Sequence, residues 1–456
     1  MSAERFELPP LVDQHCHRVL SEVPLNVTEF ERWLSESPHP PAAGTSYFDS
    51  QLGLAVRRWC APALGLPAYA TPADYLATRR ALGPTEALRR LLHAADIGTL
   101  LVDTGLPAGD LRSGPGGEPV RGWDRRGRSS GRGGWTDDGA GYVDRRLDDG
   151  WAAEGRPGSR RPGNRGPFAD PAPEPGTGPG RAGRHGDGSA GAAGTWLTPA
   201  ELARAAGAGA FEVTRLESLA EDAADRAGRD TDAFLAGLAR AIGRARARSV
   251  AFKSVVAYRH GLHLAPAPPS RAELWTAAEH WLLTRPAGGR LSNPVLARHL
   301  LWSAVETGLP LQLHTGFGDP DLRLHRADPA LLTDFVRAVG PTGCPLVLLH
   351  CYPFHRQAAH LAAVHPHVQV DLGLTLSHVG SRAGAVLTET LELAPFGKVL
   401  FSTDAYGLPE LYLVGARQFR HALTEALTQL APPRAEWQRI AALLAADNAR
   451  RVYRLT

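Results

Sequence analysis

The sequence predicts an α/β protein folded as a (β/α)₈ TIM barrel, on three observations. Eight short apolar, β-branched runs are bounded by turn residues, patterns of helical period lie between most of them, and the runs themselves are nearly continuous in apolar character. Eight strands are what such a barrel needs, and strand alternating with helix implies parallel pairing. Continuous apolar runs suit parallel strands that helices cover from outside.

The expected strands span 11–17, 100–105, 210–216, 250–257, 311–315, 346–351, 368–372 and 399–405. Helical patterns fall at 72–95, 199–206, 218–248, 271–307, 328–339 and 354–364, and 410–430 and 435–453 supply closing helices after the eighth strand. One stretch departs from this alternation. Residues 109–194 hold 24 of the 49 glycines, many Pro, Arg and Asp, and almost no aliphatic residues, so they cannot bury enough apolar surface to offset the entropy of ordering. A disordered insert between the second and third strands is expected there. The barrel is then divided into 1–108, carrying strands one and two, and 195–456, carrying the rest.

Composition narrows the function. With 43% hydrophobic and 21% charged residues, the chain has the material for one large core. A net charge of +3 gives no electrostatic case for nucleic acid or an anionic membrane, and the 14 arginines of the insert are interleaved with 12 acids. The expected partner is a small-molecule substrate, with self-association into a homo-oligomer left open. The first ten residues carry no basic-then-apolar leader, and no window approaches 18 consecutive apolar residues, so a cytoplasmic location is expected. Cys16, Cys60, Cys344 and Cys351 lack paired spacing and are expected to be reduced and mostly buried. Only Lys253 and Lys398 among 50 basic residues are lysines, which singles out Lys253 inside the fourth strand.

Chemistry-bearing residues close several of these strands. In Leu-Val-Asp-Gln-His-Cys-His, period-two alternation puts Asp13, His15 and His17 on one face, with Val12, Gln14 and Cys16 toward the helices. His314 ends strand five, His350 ends strand six and Asp404 ends strand eight. Parallel barrel strands bring these ends to one rim, where barrel active sites lie. Imidazoles and a carboxylate together suit Zn²⁺ foremost, or Mn²⁺ or Fe²⁺, with one or two ions. Water activated on such a cation would attack a carbonyl carbon, Asp404 taking its proton and passing it to the leaving amine. Substrate-side candidates follow the strands: Arg215 and Glu217, Tyr258 and Arg259 with His260 beside them, then Tyr406 and Glu410. Arg259 suits a carboxylate because a guanidinium binds one bidentately. His325, His355, His360, His365 and His367 are expected on the solvated surface.

These residues resemble the amidohydrolase superfamily, whose pattern is HxH on strand one, Lys or Glu on strand four, His on strands five and six, and Asp on strand eight. The resemblance covers the chain apart from the insert. Residues 252–262 (Phe-Lys-Ser-Val-Val-Ala-Tyr-Arg-His-Gly-Leu) and 401–412 look like the amidohydrolase domain that fungal developmental and plant nodulin-type proteins fuse to glutamine-synthetase-like domains. This chain is expected to be a stand-alone version. The resemblance implies that His15, His17, His314 and Asp404 bind metal and that His350 is a second-metal ligand or polarises substrate. It leaves Lys253 either carbamylated and bridging two metals, or a plain ammonium holding a substrate carboxylate. The expected activity is metal-dependent hydrolysis of an amide or other C–N bond, a γ-glutamyl-type amide among the candidates. Decarboxylation of an unsaturated or aromatic acid, sugar-acid isomerisation and a catalytically inactive scaffold are the alternatives.

Overall fold

A computed structural model describes residues 8–105, 196–286 and 288–455. Eight strands form one sheet in chain order: β1 (Leu11–His17), β2 (Ile97–Asp103), β3 (Gly209–Arg215), β4 (Ser249–Ser254), β5 (Leu311–Thr315), β6 (Leu346–His350), β7 (Val368–Asp371) and β8 (Val399–Leu400). Every neighbouring pair is parallel. The backbone N–H of Gln14 donates to Phe401 O at 3.2 Å, that of Asp404 to His15 O at 3.0 Å, and that of His17 to Ala405 O at 2.8 Å, which brings the first and eighth strand segments together. The expected (β/α)₈ barrel is the observed fold. The expected insert, 109–194, lies outside the described residues.

Helices fall where the periodicity places them, but several long patterns are two helices. Residues 72–95 split into Pro72–Leu82 and Pro84–Ala95 at Gly83, whose φ of 77° ends one helix while Pro84 opens the next. Residues 218–248 split into Leu216–Ala227 and Thr231–Arg248, the second capped by Asp230, which accepts from Ala233 N. Arg271–Thr284 and Pro294–Thr307 replace the single pattern 271–307, each with its own side-chain cap, from Ser270 and Asn293. Two helices after β7, Gly373–Val379 and Ala383–Leu391, and the helical turns between Val27 and Ala63 were not anticipated. No helix among the described residues is long and apolar enough to cross a membrane. All four cysteines are buried and free, as expected.

Alternation along the strands separates a shell that meets the helices from a barrel interior. Val12, Leu101, Val213, Ala251, Val347, Leu349 and Leu400 form one buried cluster, which Ala446, Ala449, Val452 and Tyr453 of the C-terminal helical segment join. Their neighbours in sequence, Leu11, Leu100, Val102, Phe252, Leu346 and Leu348, belong to the outer cluster under the helices. The interior is therefore a packed core with a C-terminal plug, as a barrel of this size requires.

This pattern corrects the expected faces of β1. Val12 lies in the interior cluster, and Gln14 donates to Asp371 Oδ2 at 2.9 Å and accepts from Gln312 Nε2 at 3.1 Å. Gln312 is on β5, opposite β1, so that contact must cross the interior. Asp13 instead accepts from Thr403 N at 2.9 Å and Thr403 Oγ1 at 2.5 Å. The register slips by one between Asp13, which faces Leu100, and Cys16, which faces Val102. An extra residue of this kind shifts the phase of a strand, and it returns His15 and His17 to the interior rim.

Candidate metal centre

Four strand ends and one turn deliver the expected groups to a single point. His15 Nε2 and His17 Nε2 lie 3.0 Å and 3.2 Å from Asp404 Oδ1, and His350 Nε2 lies 3.6 Å from Asp404 Oδ2. The His314 ring is 4.7 Å from that of His350, and Lys253 Nζ is 2.9 Å from His15 Nε2. His314 and Lys253 reach the interior by ordinary alternation on β5 and β4, two residues beyond inward Gln312 and two beyond Ala251. His350 does not, and Asp404 lies past the end of β8. Parity with Leu346 and Leu348 would turn His350 toward the helices, but its φ is 68°, and Asp404 sits at 52°. Such φ values in non-glycine residues cost of order 1–3 kcal/mol and recur at functional sites. Here they aim an imidazole and a carboxylate inward.

Burial dominates the electrostatics. It lowers His15 to about 4, helped by the nearby Lys253 ammonium, and holds His314 and His350 well below the usual histidine range. It also lowers Lys253 to about 8, against the attraction of Asp404 and Asp103. Burial opposes ionisation of Asp404, yet the imidazoles of His350, His15 and His17 around it keep its carboxyl well below the ordinary value. The centre thus combines weakly basic imidazoles at His15, His314 and His350 with an ionised carboxylate. Asp404 Oδ1, His314 Nε2 and His350 Nε2 are buried without hydrogen-bond partners. Unpaired buried acceptors are costly and rare, and a divalent cation is the partner that satisfies such a set. His15, His350 and Asp404 are close enough to share one ion, as are His15, His17 and Asp103.

The substrate-side candidates divide. Tyr258 packs its ring 4.5 Å from His314, and Tyr406 lies 6.0 Å from the His17 ring, tilted against Trp33 and Trp196 at 5.1 Å and 5.5 Å. Arg259 is half-buried with its Nε lacking a hydrogen-bond partner, and His260 beside it is half-buried too. Three others are committed elsewhere. Arg215 grips Asp103 Oδ2 through Nε at 3.1 Å and Nη2 at 2.7 Å. Glu217, buried, accepts from Ser254 Oγ at 2.6 Å and Val255 N at 3.0 Å, fixing the turn after β4. Glu410 is fully buried and paired with Arg79 Nε at 2.7 Å and Tyr75 Oη at 2.8 Å. Arg215 and Glu410 brace the rim through these pairings, and Glu217 does so through Oε1, its Oε2 being buried without a hydrogen-bond partner. Similarly, His355 is buried rather than solvated, 2.7 Å from Glu389 Oε2 and stacked on Tyr352.

Two carboxylates went unnominated. Asp103 closes Leu-Leu-Val-Asp on β2 and Asp371 closes Val-Gln-Val-Asp on β7, the same signal that pointed to His314 and Asp404. Asp371 accepts from the His350 backbone N–H at 3.2 Å and from that of Gly373 at 3.0 Å. It thereby fixes the strained end of β6.

Comparison with known proteins gives this geometry a family context. "Protein fluG" of Emericella nidulans is 37% identical over 187 residues, which are 38% of this chain and 21% of that protein, so this chain matches only about a fifth of its length. A structure from Lactobacillus casei ATCC 334, described as a metal-dependent hydrolase, superposes with a TM-score of 0.70 over 98% of this chain and 95% of that one, at 23% identity. A uronate isomerase from Thermotoga maritima gives 0.52 over 97% and 94%, at 13% identity. At such identities the structural likeness is one of fold. A family model described as Amidohydrolase matches residues 213–455, more than half of the sequence, and on that match the chain belongs to the amidohydrolase family.

Proposed function

We propose that this chain is a metal-dependent hydrolase that cleaves an amide or other C–N bond in a small, carboxylate-bearing substrate. His15, His17, His314 and Asp404 would hold the cation, zinc foremost. The observation that carries this reading is the convergence of the His15, His17 and His350 Nε2 atoms on the Asp404 carboxylate at the C-terminal ends of the strands, with Asp404 Oδ1, His314 Nε2 and His350 Nε2 buried and unpartnered. When bound, a divalent cation supplies Lewis acidity and makes water acidic near neutrality. The chain's own groups do the rest. Asp404, held ionised, accepts a proton from water through Oδ2 and returns it to the departing nitrogen, a role that suits a carboxylate fixed by its neighbours. His350, in the tautomer that carries its proton on Nε2, polarises the carbonyl oxygen as a donor, and Lys253 supplies positive charge beside His15. Arg259, with a buried Nε in want of a partner, takes the substrate carboxylate. Tyr258 and Tyr406 line the approach beside His314 and His17.

Turnover of candidate amides in ¹⁸O-water checks the reaction class. One ¹⁸O in the product carboxylate, with release of an amine, is the hydrolytic outcome. Carbon dioxide release without ¹⁸O would place the chemistry with decarboxylation, and product of unchanged mass with isomerisation. Either of the latter would overturn the proposal.

A further inference from the structure

Asp103 ends β2 with a fully buried side chain whose two oxygens are fixed. Oδ1 accepts from the Gly105 backbone N–H at 2.8 Å, and Oδ2 receives both donors of the Arg215 fork. The seat for that fork is built into the turn. A Cβ at Gly105 would lie 2.2 Å from Arg215 Cβ, so only glycine admits the arginine there. Ser218 Oγ holds the same turn by donating to Gly105 O at 2.8 Å. Burial works against the charge on Asp103, but Arg215 outweighs it and keeps the carboxyl well below its ordinary value.

Beyond the guanidinium, Asp103 Oδ2 lies 3.7 Å from His17 Nδ1, which is buried and has no hydrogen-bond partner. The opposite nitrogen, His17 Nε2, is the one beside Asp404. An imidazole that offers Nε2 to a cation carries its proton on Nδ1, and a neighbouring acceptor then fixes the tautomer and the ring angle. We propose that Asp103 is a positioning residue for the metal centre: braced by Arg215, it takes the Nδ1 proton of His17 in a hydrogen bond and presents Nε2 to the cation. The inference rests on the metal reading above. His15, His17 and Asp103 are also close enough to hold an ion themselves, but a cation on Oδ2 would sit beside the guanidinium already bound there.

Zn²⁺ affinity by competition with a chromophoric chelator, Zn²⁺ stoichiometry, and the Nδ1–H signal of His17 in ¹⁵N-histidine-labelled protein test this in wild type, Asp103→Asn and Arg215→Lys. Asp103→Asn is expected to weaken Zn²⁺ binding by about 10- to 100-fold at unchanged stoichiometry, with loss or marked shift of the His17 signal. Arg215→Lys keeps the charge but not the fork. It is expected to weaken binding less, and it reads the same coupling should Asp103→Asn not fold. Wild-type affinity and an unmoved His17 signal in the folded variants would overturn the proposal. So would loss of one equivalent with the remainder bound at wild-type affinity, because Asp103 would then be a ligand. A wild type that takes up no Zn²⁺ overturns the metal reading itself, and is recognised without any variant.

Discussion

Lys253 Nζ and Asp404 Oδ1 approach the same atom, His15 Nε2, at 2.9 Å and 3.0 Å. A buried ammonium and a buried carboxylate thus meet at one imidazole nitrogen, and removing either changes the charge that the other faces. Lys253→Met keeps the length and the burial while deleting the amine. Turnover is expected to fall at least ~100-fold, the scale of a lost charged group in a preorganised site, with the thermal midpoint no lower than wild type. Undiminished turnover would make Lys253 a structural residue only.

Asp404→Asn preserves shape and removes the carboxylate that the three imidazoles surround. Loss of the proton acceptor is expected to reduce kcat by about 10²- to 10⁴-fold. Circular dichroism should show an intact barrel, because Asp404 N still donates to His15 O across the closure. Retained activity in a folded variant would remove Asp404 from the chemistry.

Gly316 follows β5 with φ at 76°, its N–H bonded to Ala327 O at 2.9 Å. A Cβ there would lie 2.3 Å from the carbonyl oxygen of Tyr352, a backbone atom with little freedom to retreat. Gly316→Ala is expected to destabilise by at least ~2 kcal/mol, combining roughly 1–2 kcal/mol for the left-handed φ with the clash. Chemical denaturation measures this directly.

Away from the centre, Glu410 joins the closing helix Pro409–Leu430 to Arg79 and Tyr75 of the helix Pro72–Leu82. Both members of the ion pair are buried, at 0% and 3% exposure of their side chains. Glu410→Ala strands the guanidinium, and about 3–5 kcal/mol of stability should be lost. Metal affinity in the folded fraction should stay at the wild-type value. A selective loss of substrate binding at full stability would instead return Glu410 to the substrate side.

Much of this was legible in the sequence because it depends on local pattern. Apolar runs of strand length located every barrel strand, and ligand-type residues at their ends marked the rim, including His314 and Lys253, which simple alternation turns inward. What escaped depends on backbone events that periodicity does not encode. The register slip in β1 inverts the expected faces of Asp13 and Gln14 while leaving His15 and His17 at the rim. Positive φ at His350 lets a side chain of the wrong parity face the centre, and a positive φ at Asp404 turns its carboxylate in past the end of β8. The ladder between β7 and β8 runs only through Val399–Leu400, while residues 401–405 bond to the first strand and turn so as to aim Asp404. Arg215, Glu217 and Glu410 lie at or just after strand ends, where substrate contacts are typical, and only the fold reveals the partners that claim them.

The claim on which the rest depends is that these groups hold a metal. Elemental analysis of the purified wild type and of a His15→Ala, His17→Ala double variant tests it without a substrate. The account predicts one or two equivalents of a divalent transition metal per chain in the wild type, and its loss in a folded variant. A wild type free of metal that takes none up on reconstitution, or a variant that retains its full complement, would contradict it.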